Sequence, residues 1–139
     1  HVSFLSPVCL SAMNETAAWD HAVKLYARPR VAAELLRRQD EEGLDIVLHL
    51  FTEWLRDERG LTLDPAQLQE AETHVRHWRE QVIQPLRAAR RAAKSEGPAG
   101  PQRDALRERI QIAELDAERL QMSMLCTWLE TVRATPSSP

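Results

Sequence analysis

The 139-residue chain carries a formal charge of −3, is 43% hydrophobic and 28% charged, and has only four Gly and one Tyr. That length suits one domain with its own core, and a composition led by Ala, Leu, Arg, Glu and Gln favours helix over sheet. The net charge excludes a global attraction to nucleic acid or an anionic membrane, so any electrostatic partner must meet a local patch.

Cys9 and Cys126 lie far apart and outside any Cys-x-x-Cys spacing, which excludes a zinc ribbon and points to a reducing, cytoplasmic location. Residues 1–12, HVSFLSPVCLSA, lack a basic leading region and are too short to span a bilayer. Met13 reads as the natural start. Residues 1–12 are then an upstream or appended segment without fixed structure, and no membrane partner is expected.

Thr16 precedes a run in which Trp19, Val23 and Tyr26 recur at helical spacing, so it is the expected N-cap of a first short helix. Arg28-Pro29 ends that helix and opens a second, Pro29 to Glu42, closed by Gly43. Asp45 is the expected cap of a third helix with a wide apolar face, Val47, Leu48, Phe51, Trp54 and Leu55, which Gly60 terminates.

Asp64-Pro65 opens a helix that stays periodic to about Lys94, with a kink expected at Pro85, which lacks an N–H and crowds the carbonyl four residues earlier. The Gly/Pro-rich residues 95–102 form a loop, the last helix runs from about Arg103 to Arg133, and residues 134–139 are a flexible tail.

The two long helices carry apolar seams. Leu68, Ala71, Val75, Trp78, Val82, Leu86, Ala89 and Ala93 face Leu106, Ile110, Ala113, Ala117, Leu120, Met124 and Trp128 if the chain folds back near residues 99–100. Predicted layers are Ala89/Ile110, Leu86/Ala113, Val82/Ala117, Val75/Met124 and Ala71/Trp128, small against large. The expected architecture is all-α: three short helices packed on an antiparallel helical hairpin, residues 65–133, in a single domain of residues 13–133.

The stretches LYARPRVAAELLRRQDEEGLDIVLHLFTEWL and LTLDPAQLQEAETHVRHWREQVIQPLRAARRAAK carry a resemblance. They are similar to a family of uncharacterised proteobacterial proteins with the pattern L-Y-x-R-P-G-V, L-Q-D-x-x-G-x-D-V-N-L-L-L-F-x-x-W-L and W-R-x-x-V-x-x-P-L-R-x-x-R-R-x-L-K. The match runs from Trp19 to Lys94 and more weakly to Arg133. It implies a small all-helical protein of unknown activity. Arg30, Leu35 and Val47 depart from the family's Gly, Cys and Asn, and any polar site that used that Asn is altered here.

Tyr26, Arg28, Gln39, Asp40 and Asp45 fall where the first three helices meet, and a convergent pocket with Arg28 as anion clamp is one reading. The competing and preferred reading is a helix junction held by an Arg28–Asp40 or Arg28–Asp45 ion pair and a cap. Glu70, His74 and His77 recur at i, i+4 and i+7, a spacing that suits a metal, but without further ligands a solvated flank is the preferred reading. His21 and His49 stand alone, and Ser123 and Cys126 lack a local partner for a nucleophile. No phosphate loop or dinucleotide fingerprint occurs, so no cofactor is expected.

Charge is distributed unevenly. Residues 87–109 hold seven basic side chains against three acidic ones, while the rest of the chain holds eleven basic and eighteen acidic. Arg87, Arg90, Arg91, Lys94, Arg103 and Arg107 thus form a basic hairpin tip suited to an anionic partner, RNA or an acidic protein surface. The expected function is a non-enzymatic interaction or adaptor module. The alternative is a small-molecule or metal-dependent enzyme at the helix junction or at Glu70/His74/His77. Ile112, Leu115, Leu125, Leu129 and Val132 are apolar flanks that suggest a homodimer.

Overall fold

The computed structural model of the chain describes residues 7–132 and 135–136, with side chains from residue 12 to 132. Helix α1 spans Pro7–Tyr26. It starts more than two turns ahead of Thr16, because Pro7 suits a first helical turn and no Gly or Pro interrupts the chain before Tyr26. Residues 7–12 are therefore helical, contrary to expectation, and residues 1–6 lie outside the described chain.

Helix α2 spans Pro29–Glu42 as predicted, and Gly43 ends it at φ 70°, with the N–H groups of Gly43 and Leu44 both donating to the Arg38 carbonyl. Helix α3 spans Ile46–Arg59; the Asp45 carboxylate accepts from the Leu48 N–H at 3.0 Å, and Gly60 at φ 61° closes it. Helix α4 spans Pro65–Trp78. It opens with a reciprocal capping box, Gln67 N–H to Asp64 Oδ1 at 2.8 Å and Asp64 N–H to Gln67 Oε1 at 2.9 Å.

A π turn, Arg79–Ile83, follows without a break and leads into α5, Gln84–Ser95. The Gln84 N–H donates to the Arg79 carbonyl, five residues back. Where a kink was expected at Pro85, a π turn inserts an extra residue just ahead of the proline. Helix α6 spans Pro101–Leu129, and the connection to it places Gly97 at φ 70° and Gly100 at φ 146°.

The class is all-α, with one two-residue strand pair. Strand β1, Leu61–Thr62, pairs antiparallel with β2, Thr135–Pro136, in the register Leu61 to Pro136 and Thr62 to Thr135. Part of the predicted tail is thus paired, while residues 133–134 and 137–139 lie outside the described chain.

Two compact units are distinguished, with boundaries inside α4 and α6. The first comprises residues 1–74 and 122–139. In it α1, α2 and α3 pack on one another, and Phe51, Trp54, Leu55, Ala71, Met122, Leu125, Cys126 and Trp128 are buried. Arg59 lies 5.0 Å from the Trp54 ring centre, a cation–π contact. Trp128 Nε1 donates to Glu70 Oε1 at 3.3 Å, one residue from the predicted Ala71/Trp128 layer.

The second unit, residues 75–121, is an antiparallel hairpin. Trp78 Nε1 donates to the Ala117 carbonyl at 2.9 Å, and Arg87 reaches Glu114 at 3.3 Å, so residue numbers fall on one strand of the hairpin as they rise on the other. Its seam differs from prediction. Ile83 is buried where Val82 was expected, Ala89 is exposed, and Leu106 and Leu120 are half-exposed or more. The π turn adds one residue after Trp78, so the inward position moves from 82 to 83.

Candidate functional site

The hairpin seam is polar toward the loop. On α6 the inward residues are Arg103, Arg107, Ile110, Glu114, Ala117 and Gln121, alternating by four and three. Gln121 and Glu114 are the buried polar side chains among the described residues, Glu114 at 6% exposure. On α5 the matching positions after Ile83 are Leu86, Arg87, Arg90 and Ala93, all half-buried. Arginine therefore occupies core-facing positions on both helices.

Glu114 accepts from Arg87 Nε at 3.3 Å, from Arg90 Nε, and from Arg90 Nη2 at 3.4 Å. Arg87 Nη2 also lies 3.7 Å from Glu118 Oε2. Two guanidinium groups on α5 are thus matched by two carboxylates on α6. A charge buried here without a partner would be costly, and the edge-on fork of arginine suits a carboxylate.

The six residues of the predicted basic tip consequently divide. Arg87 and Arg90 are committed inside the hairpin and do not form an outward patch. Arg91 and Lys94 are exposed. Arg103 Nη1 donates to the carbonyls of Glu96 at 3.2 Å and Gly97 at 3.3 Å, which ties α6 to the loop. The Nε atoms of Arg103 and Arg107 are buried and have no acceptor.

Glu114 and Glu118 escaped the sequence reading. The signal was present: two glutamates four apart on one predicted helix opposite two arginines three apart on the other. The predicted layers hid it, because they turned Ala113 inward and Glu114 out.

Asp45 caps α3, Tyr26 and Gln39 are half-buried, and Arg28 and Asp40 are exposed, Arg28 occupying the N-cap position of α2 without a side-chain capping bond. His74 and His77 are exposed, and Glu70 is engaged by Trp128. Among the described residues no group of three or more His, Cys, Asp or Glu is arranged to hold a metal ion.

His21 lies between two carboxylates of α3, with Nε2 3.1 Å from Asp57 and Nδ1 3.5 Å from Glu58, and so ties α1 to α3. His49 is half-buried beside Glu53, and burial lowers its pKa below the usual histidine value. Cys126 is fully buried, and desolvation pushes its thiol up to about 12, so it is an inert core group and not the nucleophile considered above. Leu125, expected on an open flank, is fully buried as well, whereas Ile112 and Leu115 are 57% and 54% exposed.

Residues 17–125 match a family described as protein of unknown function, DUF2390. The chain belongs to that family. No curated protein and no solved structure matches. The DUF2390 span takes in every candidate residue from Tyr26 to Arg107. Two departures of this DUF2390 chain from the pattern given above, Leu35 and Val47, are core residues at 4% and 7% exposure, while Arg30 is exposed. No helix among the described residues is long and apolar enough to cross a membrane.

Proposed function

We propose that the protein is a non-enzymatic interaction module that contacts an anionic partner, RNA or an acidic protein surface, through the loop end of its hairpin. The observation that carries this reading is the concentration of cations there. Seven basic residues stand against three acidic ones between residues 87 and 109, in a chain that is otherwise acidic. Arg87 and Arg90 pair with Glu114 and Glu118 inside the hairpin, and the surface offered to a partner is made of the exposed side chains Arg91, Lys94 and Arg109. No aromatic side chain lies in that segment, so contact with RNA would be made to the backbone and would ignore sequence.

The test is fluorescence anisotropy with polyuridylate and with polyglutamate as the two probes. Binding that weakens log-linearly with salt, and that disappears on joint reversal of Arg91, Lys94 and Arg109 to Glu, supports the reading. Binding of neither probe, or binding that survives the reversal, overturns it. The exposed pair Ile112 and Leu115 favours a second reading, self-association along α6, which sedimentation at micromolar concentration checks.

A further inference from the structure

The hairpin seam contains two arginine layers, and only one is balanced. In the inner layer Arg90 presents its Nε/Nη2 edge to both oxygens of Glu114, and Arg87 shares its own edge between Glu114 and Glu118. Two guanidinium groups there meet two carboxylates. In the outer layer Arg103 and Arg107 lie one helical turn apart on the same face of α6, and the Nε of each is buried without an acceptor. Both side chains are half-buried, and a buried donor without an acceptor is the exception in folded proteins.

The neighbouring acids do not supply the missing acceptors. Asp104, three residues ahead of Arg107, and Glu108 are both exposed, and neither accepts from the buried Nε atoms. Glu96 contributes a backbone carbonyl, and to Arg103 Nη1. That bond and its counterpart at Gly97 fix the guanidinium through Nη1, and the Nε on its opposite edge has no acceptor.

We infer that Arg103 and Arg107 form a seat for a phosphate group. Two forks without internal counter-charge match an oxyanion near −2, by the same ratio that pairs Arg87 and Arg90 with two glutamates. A phosphate monoester or free phosphate carries that charge above its second pKa of about 6, and arginine forks bind its oxygens in pairs. Arg103 sits in the first turn of α6, where the helix dipole also favours an anion. This deepens the reading of an anionic partner by naming its chemistry, and it rests on that reading only for the partner's identity.

The probe is inorganic phosphate, at constant ionic strength, followed through the side-chain Nε–H resonances of arginine by NMR. Arg103→Gln and Arg107→Gln assign the two signals. Saturable shifts of those two, with the Glu114-bound Arg87 and Arg90 signals unmoved, are expected. Either substitution should weaken phosphate by about tenfold. Acetate, a monoanion, should bind more weakly. Absence of saturable shifts in the unsubstituted protein, equal shifts of all arginine signals, or acetate binding as tightly as phosphate overturns the seat. Polyanion binding through Arg91, Lys94 and Arg109 that persists without such shifts sinks the seat alone, and phosphate shifts without polyanion binding sink the module reading alone.

Discussion

Arg90 meets Glu114 edge-on: Nε and Nη2 of one guanidinium face the two oxygens of one carboxylate that is only 6% exposed, inside a hairpin whose α5 helix buries no residue fully. The loop end of the hairpin is therefore held by charge where the helices supply little apolar area. Truncating Glu114 to Ala takes the shared carboxylate from both arginines, leaving Arg87 its longer 3.7 Å contact with Glu118, and should cost about 3 kcal/mol. The triple change Arg87→Leu, Arg90→Leu, Glu114→Leu replaces charge with packing and should recover most of that loss. Urea midpoints decide; a triple variant no better than Glu114→Ala would show that the ion pairs are not what holds this end.

Helix α3 depends on its cap. Asp45→Ala removes the acceptor for the Leu48 N–H and should lower stability by about 1 kcal/mol, whereas Asp45→Asn should be nearly neutral. Equal loss in both variants would point to a role for the carboxylate charge beyond capping.

Such local features were legible in the sequence, and the seam register was not. Gly43, Asp45, Gly60 and the Asp64 cap act over a few residues, so residue type alone announces them, although the return bond from Gln67 was not foreseen. The layer of Val82 against Ala117 failed because a π turn inserts one residue between Trp78 and Ile83, and nothing in the apolar spacing marks that insertion. On α6 the apolar pattern misleads separately, because several of its inward positions are polar. Leu106 and Leu120, good seam residues by pattern, turn outward, and Arg103, Arg107 and Glu114 turn in. The basic tip was thus recognised by charge but misread in direction, since composition does not say which arginines face a glutamate. The pairing of β1 with β2 joins residues more than seventy apart and has no local signal.

His49 makes stability depend on pH. Burial lowers its pKa from 6.5, with Arg38 and Arg56 acting in the same direction against Glu53. The unfolded chain then binds more protons than the folded one below about pH 6.5. The contribution is complete above 6.5 and is lost as pH falls from 6.5 through the lowered folded value. His49→Gln should flatten the pH dependence of the urea midpoint in that window, and an unchanged slope would assign the dependence elsewhere.

Cys126 should be silent toward thiol reagents in the folded protein. Its side chain has no exposed surface and its thiol titrates at about 12, so thiolate is scarce at neutral pH. In a Cys9→Ser background, modification should require denaturant and follow unfolding. Because the folded value lies above the usual 9.0, Cys126 supports the fold fully below pH 9 and progressively less above it. Rapid labelling without denaturant would contradict the packing around it.

The π turn gives a test by deletion. Removing exposed Gln81 takes out the one inserted residue, so Trp78 and Ile83 become four apart, an α-helical spacing that keeps both on the seam. Everything after Ile83 retains its position relative to α6, including Arg87 and Arg90 opposite Glu114. The protein should fold with nearly unchanged helicity and urea midpoint. Deleting exposed Ala88 from α5 is the control of equal size. It turns Arg90 by about 100° around the helix, away from Glu114, while Arg87 stays, so the inner layer loses half its match. A markedly larger loss of stability for the Ala88 deletion than for the Gln81 deletion is expected. Equal losses would mean that the π turn is not a surplus residue absorbed by the helix, and that Pro85 requires it.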